Sequence, residues 1–129
     1  MKYNPDLHHR RSIRLVGYDY SQAGAYFITI CTHDRSSIFG EIIDGEMINN
    51  QLGAIVRSRW GKLSKYYQNV ELDASIIMPN HLHGIIVLHD TLPEFATQIS
   101  EIIRGFKTFS ARQINKICDP KGIPVWQRN

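Results

Sequence analysis

One run of residues predicts both a β-strand and the relative placement of two histidine side chains on it. Residues 78–84 read Met-Pro-Asn-His-Leu-His-Gly and lead directly into the aliphatic stretch Ile-Ile-Val-Leu at 85–88. A β-branched, apolar stretch of this length is typical of a strand. Side chains two positions apart on a strand point to the same face. We therefore expect His81 and His83 to lie side by side on one face of a sheet, with Leu82 in the opposite layer.

The spacing of His81 and His83 does not by itself decide whether they bind a metal ion. Two neighbouring imidazoles are suitable ligands for a divalent metal ion. Histidines at the same spacing also occur where they only satisfy hydrogen bonds on a protein surface. The residues by themselves therefore allow a metal site on His81 and His83, but they favour a metal-free α+β domain.

Length and composition limit the class of protein. The chain has 129 residues, of which 43% are hydrophobic, so we expect one domain with its own core. Its formal net charge of +3 permits a nucleic-acid partner without requiring one. The cysteines Cys31 and Cys118 form no Cys-x-x-Cys pair, which favours a reducing, cytoplasmic location. No apolar stretch is long enough to predict a membrane span, so we expect no membrane partner.

The apolar pattern predicts alternating strands and helices. The Asp44-Gly45 pair is typical of a two-residue hairpin turn, and Asn49 or Asn50 can cap the helix that follows. The predicted elements are a strand at 26–32, a hairpin at 39–48, a helix reaching Tyr67, a strand at 70–78, the histidine strand, and a helix over roughly 96–117. This order predicts an α+β fold in which the two main helices pack on one face of an antiparallel sheet.

Two of these elements carry predictions about their faces. In the strand at 70–78, Leu72, Ala74 and Ile76 should share one face. The apolar side of the last helix should carry residues 99, 102, 103 and 106, followed by either Phe109 or Ile114.

Two groups of cations are candidates for contact with phosphate. Arg10, Arg11 and Arg14 lie close together near the N-terminus, and Arg104, Lys107 and Arg112 lie on the polar side of the last helix. Clustered cations gain affinity for a nucleic-acid backbone by releasing counterions. Exposed Arg and Lys are also common where they are only solvated, so both interpretations remain open.

The chain closely resembles the REP-associated tyrosine transposases, which belong to the single-tyrosine transposases of the His–hydrophobic–His (HUH) superfamily. The run at 78–84 in its strand context is the most specific match. The other matching stretches span nearly the whole chain: Arg-Arg-Ser-Ile-Arg-Leu at 10–15, Tyr-Asp-Tyr at 18–20, the strand at 26–32, Phe-Gly at 39–40, Gly-Glu-Met at 45–47, Leu-Asp at 72–73, Gly-Phe-Lys at 105–107 and Val-Trp-Gln-Arg-Asn at 125–129.

This resemblance implies a ferredoxin-like fold and a defined chemistry. Such enzymes cut single-stranded DNA when a tyrosine hydroxyl attacks a phosphodiester, and they form a 5′-phosphotyrosine link that a free 3′ hydroxyl later reverses. By carry-over, His81 and His83 would be ligands of a divalent ion, Mg²⁺ or Mn²⁺, that polarises the phosphate. The expected partners are single-stranded or hairpin DNA, and a homodimer is possible because relatives often form one.

One departure from the family leaves the activity open. In the relatives a further helix, which carries the nucleophilic tyrosine and another metal ligand, follows the Trp-Gln-Arg-Asn landmark that here ends at Asn129. The pair Tyr66-Tyr67 closes an amphipathic helix, so core or rim packing is its favoured role and that of a substitute nucleophile is the lesser alternative. We therefore expect 1–129 to be a single HUH-type domain without its nucleophile, either part of a transposase or a non-catalytic DNA-hairpin-binding module derived from one.

Overall fold

The fold is given by a computed structural model, described here for residues 22–118 and 124–128. Its strands are β1 (Gly24–Cys31), β2 (Gly40–Ile43), β3 (Glu46–Asn49), β4 (Val70–Met78) and β5 (His81–Leu88). Its helices are α1 (Gln51–Gly61), α2 (Leu63–Tyr66) and α3 (Ile99–Ile117), and short 3-10 turns lie at His33–Arg35 and Pro93–Phe95.

The histidine strand lies in the middle of the main sheet. This sheet contains three antiparallel strands in the order β1-β5-β4, and β2 pairs separately with β3. A segment around Trp126 makes an antiparallel bridge to Thr32 at the outer side of β1. With this segment as a fourth strand, the chain follows the βαββαβ order of a ferredoxin-like fold. The predicted α+β fold with two main helices and an antiparallel sheet is confirmed.

Local sequence signals explain the hairpin and the start of α1. Asp44 and Gly45 both have positive φ angles, 51° and 79°, as the predicted two-residue turn between β2 and β3 requires. The side chain of Asn50 accepts a hydrogen bond of 3.0 Å from the backbone N–H of Gly53 and so caps α1. Both features place the hairpin and α1 where the sequence predicts them.

The predicted face of β4 is wrong beyond its middle. Leu72 pairs with Ile86, but Ser75 pairs with Gly84, so β4 contains one extra residue between these two pairs. Such a bulge exchanges the two faces of the strand for all later residues. As a result Ile76 is 52% exposed, while the core side of the strand continues through Ile77.

Both main helices are shorter than predicted. The first ends at Gly61, where a turn at Lys62 separates it from α2; glycine is a weak helix former, which explains the break there. The last helix starts at Ile99, because residues 93–95 already form a separate 3-10 turn. Ile114 is buried on the apolar side of α3, whereas Phe109 is 49% exposed.

Aromatic side chains join the helices, the sheet and the segment around Trp126. The rings of Trp60 and Phe106 meet edge to face at a centroid distance of 5.3 Å, and Trp126 contacts Phe106 at 5.6 Å and Phe39 at 5.2 Å. The indole N–H of Trp126 donates a hydrogen bond of 3.0 Å to the buried hydroxyl of Ser110. The core therefore lies between the helices and the side of the sheet opposite His81 and His83.

Among the residues that the structure describes, no helix combines the length and the apolar character needed to cross a lipid bilayer.

Candidate metal and nucleic-acid site

The two histidines lie together on the face of the sheet that the helices leave uncovered. The centroids of their rings are 4.5 Å apart and the ring planes are inclined by 77°. Leu82 between them is fully buried on the helix side, whereas His83 is exposed and His81 is partly buried. The same-face arrangement predicted from the spacing is confirmed. Two imidazoles this close can contact one ion at the usual metal–nitrogen distance of about 2.1 Å.

A hydrogen bond fixes each ring through its Nδ1 atom. His81 Nδ1 lies 2.7 Å from the side-chain oxygen of Asn80, an atom that can only accept, so Nδ1 carries the proton. The amide of Asn80 is itself oriented by its Nδ2 atom, which donates to the carbonyl of Arg35 at 3.4 Å. The Thr29 hydroxyl lies 2.9 Å from His83 Nδ1 and can accept in the same way. For His81 this leaves the lone pair on Nε2, the atom available to a metal, and His83 takes the same tautomer when the Thr29 hydroxyl accepts.

Burial and charge both favour the neutral form of His81. Partial burial lowers the pKa of His81 below its ordinary value of 6.5, and the nearby imidazole of His83 lowers this pKa further. A histidine binds metal only in its neutral form. The environment of His81 therefore keeps the ring competent to bind at neutral pH.

The histidines are a pair rather than a complete metal centre in the described residues. Within 22–118 and 124–128, no group of three or more His, Cys, Asp or Glu residues is arranged to hold a metal ion. The cross-strand neighbours of His81 are Cys31 on β1 and Met78 on β4. A hard divalent ion bound here would need further oxygen ligands, which water or a phosphate can supply.

The tyrosines that the structure describes are remote from this face. Tyr26 lies on β1 opposite the buried residue Ile86 of β5, and its hydroxyl donates to the carbonyl of Gln22 at 2.7 Å. Tyr66 is the last residue of α2 and Tyr67 comes directly after it, and both line a cavity against α3. The structure thus brings neither member of this pair to the histidines.

The predicted DNA-binding cations fall into three groups. Arg104 and Lys107 line one cleft of about 640 Å³ between α3 and the segment 124–128, which adds Arg128. Arg112 lies in a different cavity on α3, with its guanidinium 5.6 Å from the centre of the Phe109 ring. The residues predicted in the N-terminal arm lie outside the described part of the chain: Arg10, Arg11 and Arg14.

One known protein is similar to this chain over nearly its whole length. An uncharacterized protein of Haemophilus influenzae (strain ATCC 51907 / DSM 11121 / KW20 / Rd) is 40% identical over 148 residues, covering 99% of this chain and 79% of that protein. The chain belongs to the family of this Haemophilus protein. No protein-family model matches the chain.

A solved structure relates this family to a known fold. The REP-associated tyrosine transposase bound to a REP hairpin superimposes with a TM-score of 0.61 and 17% sequence identity. The match covers 91% of this chain and 59% of that one, so the chain spans somewhat more than half the length of the transposase. At this identity the comparison establishes a shared fold.

Sequence reasoning missed the two residues that orient the histidines. Asn80 is adjacent to His81 within the most specific motif, so its position was available as a signal. Thr29 faces His83 only because of the pairing register between β1 and β5. No spacing within a single strand reveals that register, which depends on the rest of the fold.

Proposed function

We propose that this protein is a metal-dependent DNA-binding protein of the tyrosine-transposase type, with His81 and His83 as ligands of the divalent ion. The observation that carries the proposal is the pair of imidazoles 4.5 Å apart on an exposed face, each with a hydrogen-bond partner at Nδ1. Among the described residues no hydrogen bond of the protein uses either Nε2 atom, so both remain available to a ligand.

The donor set fits a divalent ion, and its chemistry favours Mn²⁺ over Mg²⁺. Imidazole nitrogen is a softer donor than the oxygens that Mg²⁺ prefers. A bound ion would polarise a DNA phosphate and hold it in position. The role of the protein is to hold the rings of His81 and His83 in position, which Asn80 and Thr29 do through hydrogen bonds at Nδ1.

DNA is the proposed partner on two grounds. The fold is shared with a transposase that was solved bound to a REP hairpin. In addition, Arg104, Lys107 and Arg128 line one cleft, so three cationic side chains face the same space. Such a cleft suits a phosphate backbone, because each neutralised phosphate releases counterions into solution.

The strand-cutting step requires a tyrosine that the described residues do not place at the histidines. In that step the hydroxyl oxygen of tyrosine bonds to phosphorus and loses its proton to a base, while the bond from phosphorus to the 3′ oxygen breaks. The products are a 5′-phosphotyrosine and a free 3′ hydroxyl. Reversal of the same exchange would join the strand without an external energy source.

A second candidate is a DNA-hairpin-binding module without covalent chemistry. It is favoured by the location of Tyr66 and Tyr67, which lie on the helical side of the molecule and not on the histidine face. Such a module would bind DNA through the same cations and would not need a nucleophile.

A denaturing gel separates the two candidates. The protein is incubated with a 3′-labelled single-stranded or hairpin oligonucleotide and Mn²⁺, because the fragment with the 3′ end is the one that stays linked to the tyrosine, and native binding is measured in parallel. A covalent adduct that disappears in His81→Ala supports the transposase activity, and mass spectrometry of the adduct identifies the tyrosine. Binding without an adduct supports the module. Absence of any DNA binding, with or without Mn²⁺, would contradict both.

A further inference from the structure

A groove on the helical side of the molecule has the composition of a second nucleic-acid site. It consists of two adjoining cavities of about 430 and 510 Å³ that share Arg59 and Phe109. We call this surface the aromatic groove, and its residues are Arg59, Leu63, Tyr66, Tyr67, Gly105, Phe106, Phe109, Arg112, Gln113, Asn115 and Lys116. It lies between α1–α2 and α3, on the opposite side of the sheet from His83.

Two large rings in this groove are exposed although the core is nearby. Tyr66 is 60% exposed and Phe109 is 49% exposed. Phe109 is turned away from the core because its neighbour Ser110 takes the buried position and bonds to Trp126. Exposed aromatic rings beside a cleft provide flat surfaces on which planar ligands can stack.

The cations around these rings form no ion pair with another described residue. Arg59, Arg112 and Lys116 line the two cavities, and among the described lining residues there is no Asp or Glu. Within 22–118 and 124–128, the ion pairs join only His33 to Asp34 and His89 to Glu71. None of the three cations forms an ion pair among the described residues, so they produce an attractive potential for an anion. The charge of Glu101, which acts on the Tyr67 hydroxyl, reduces this potential at that end of the groove.

Two of these cations have defined geometry. Arg59 donates from Nε to the side-chain oxygen of Gln113 at 2.7 Å, which fixes the guanidinium and uses one of its five donors. Arg112 lies over the Phe109 ring with its central carbon 5.6 Å from the ring centre, a cation–π contact. Both guanidinium groups line the same cavity as Phe109, and each has donors left for phosphate oxygens.

The floor of the groove offers one further polar atom. The hydroxyl of Tyr67 approaches α3 so closely at Gly105 that a Cβ there would be 2.7 Å from it. Partial burial raises the pKa of this hydroxyl above its ordinary value of 10.0, and the charge of Glu101 raises this pKa further. The hydroxyl therefore remains protonated at neutral pH and can donate a hydrogen bond.

We propose that the aromatic groove binds unpaired nucleotides of single-stranded DNA, with bases stacked on Tyr66 and Phe109 and phosphates on Arg59, Arg112 and Lys116. Alternation of aromatic rings and cations is the arrangement that recognises single strands without a sequence requirement. The inference depends on the proposed function only for the identity of the ligand as DNA. It does not depend on the metal, because the groove and the histidines lie on opposite faces.

The test measures binding of a fluorescent, unstructured thymidine oligonucleotide by anisotropy, without metal and at low salt. Tyr66→Ala and Phe109→Ala should each weaken binding about fivefold or more, the effect expected from loss of one stacked base. Phe109→Tyr, which keeps a ring, should retain most of the affinity. The matched control is Phe95→Ala, which removes another exposed ring outside both cavities and should leave the affinity unchanged.

A second pair of variants avoids the risk that the ring substitutions disturb folding. Arg112→Gln and Lys116→Gln change exposed side chains, and each should reduce the slope of log affinity against log salt by roughly 0.7. Unchanged affinity in the ring variants together with an unchanged salt slope in the charge variants would overturn the proposal that the groove binds single-stranded DNA. Failure of wild-type protein to bind the single strand would do the same.

The metal proposal is measured separately, so the two can fail independently. Tyr66→Ala and Phe109→Ala should leave Mn²⁺ affinity unchanged. If the protein binds no Mn²⁺ but the groove variants lose DNA affinity, the result supports DNA binding by the groove and contradicts the metal site. If Mn²⁺ binds at the histidines but the groove variants bind DNA as the wild type does, only the groove is refuted. Dimerisation that depends on Phe109 with no loss of DNA affinity would assign the surface to a second copy and would also overturn it.

Discussion

The indole ring of Trp60 lies directly against the backbone of Gly84. A Cβ built at Gly84 would be 2.4 Å from Cζ2 of Trp60, too close for any side chain. Trp60 is a core residue of α1, and Gly84 follows His83 on the central strand. The contact therefore explains why glycine ends the His-x-His run, because it allows α1 to pack flat on the strand that carries both histidines.

Gly84→Ala should destabilise the protein. The added methyl group must displace a buried indole, and overpacking of this kind costs about 1–3 kcal/mol of unfolding free energy. Urea denaturation followed by tryptophan fluorescence measures the change. An unchanged denaturation midpoint would contradict the close packing of Trp60 on β5.

The matched control is Gly61→Ala at the end of α1. A Cβ at Gly61 has no neighbouring atom within 4 Å, and the residue is helical. Alanine is a better helix former than glycine, so this variant should gain about 0.5–1 kcal/mol. Equal destabilisation by both substitutions would show that the effect at Gly84 is not caused by Trp60.

Thr29→Val should weaken metal binding while preserving the strand. Valine has nearly the same shape as threonine but removes the hydroxyl that lies 2.9 Å from His83 Nδ1. Loss of such an outer partner lowers metal affinity by about tenfold or more. Calorimetric titration with Mn²⁺ measures the loss, and Thr29→Ser, which keeps a hydroxyl, should restore most of the affinity. The same Mn²⁺ affinity in Thr29→Val and in wild type would show that Thr29 does not contribute to metal binding.

The pKa of His81 should respond to its neighbour. Burial is the larger cause of its lowered pKa and the charge of His83 is the smaller one, so His83→Ala should raise this pKa only part of the way towards 6.5. NMR titration of the His81 ring signals measures the shift. A pKa of His81 that does not move in His83→Ala would contradict the electrostatic contact between the two rings.

The same pKa shift makes stability depend on pH. Between the lowered pKa of folded His81 and the ordinary 6.5 of the unfolded chain, the unfolded chain binds more protons. The free energy of unfolding should therefore fall as the pH drops through this window, and His81→Gln should flatten that dependence. Denaturation midpoints of both proteins across the window provide the measurement; parallel curves would contradict it.

Arg104→Gln should reduce the salt dependence of DNA binding. If Arg104 contacts a phosphate, its loss lowers the slope of log affinity against log salt by roughly 0.7 for a single strand. Arg57→Gln is the matched control, because Arg57 is exposed on α1 and lies outside the cleft of Arg104. A slope that stays constant in Arg104→Gln would show that Arg104 does not contact a DNA phosphate.

The sequence predicts those parts of the fold that depend on neighbours along the chain. The hairpin turn at Asp44-Gly45 and the placement of His81 and His83 on one face are set by local chemistry, and both predictions are confirmed. Of the two candidate caps, the structure uses Asn50. The bulge between Leu72 and Ser75 was missed, because it arises from pairing with β5 and leaves no local signal. One extra residue there moved Ile76 from the core to the surface.

The candidate site divides in the same way. Strand periodicity suffices to place His81 and His83 on one face, since it depends on a single strand. The contact between Thr29 and His83 requires the register of two strands far apart in sequence. Arg112 and Lys107 were grouped together from their helix, but packing against α1 on one side and the segment 124–128 on the other separates them into different cavities.

The most direct measurement of the central claim is a calorimetric titration of Mn²⁺ into four proteins: wild type, His81→Ala, His83→Ala and His89→Ala. His89 projects from the same side of the chain just beyond β5 and pairs with Glu71 instead, so its loss serves as the control. We expect one binding event in wild type and His89→Ala, and an affinity at least tenfold lower in the other two variants. The same affinity in all four proteins, or no binding in any, would contradict the assignment of His81 and His83 as metal ligands.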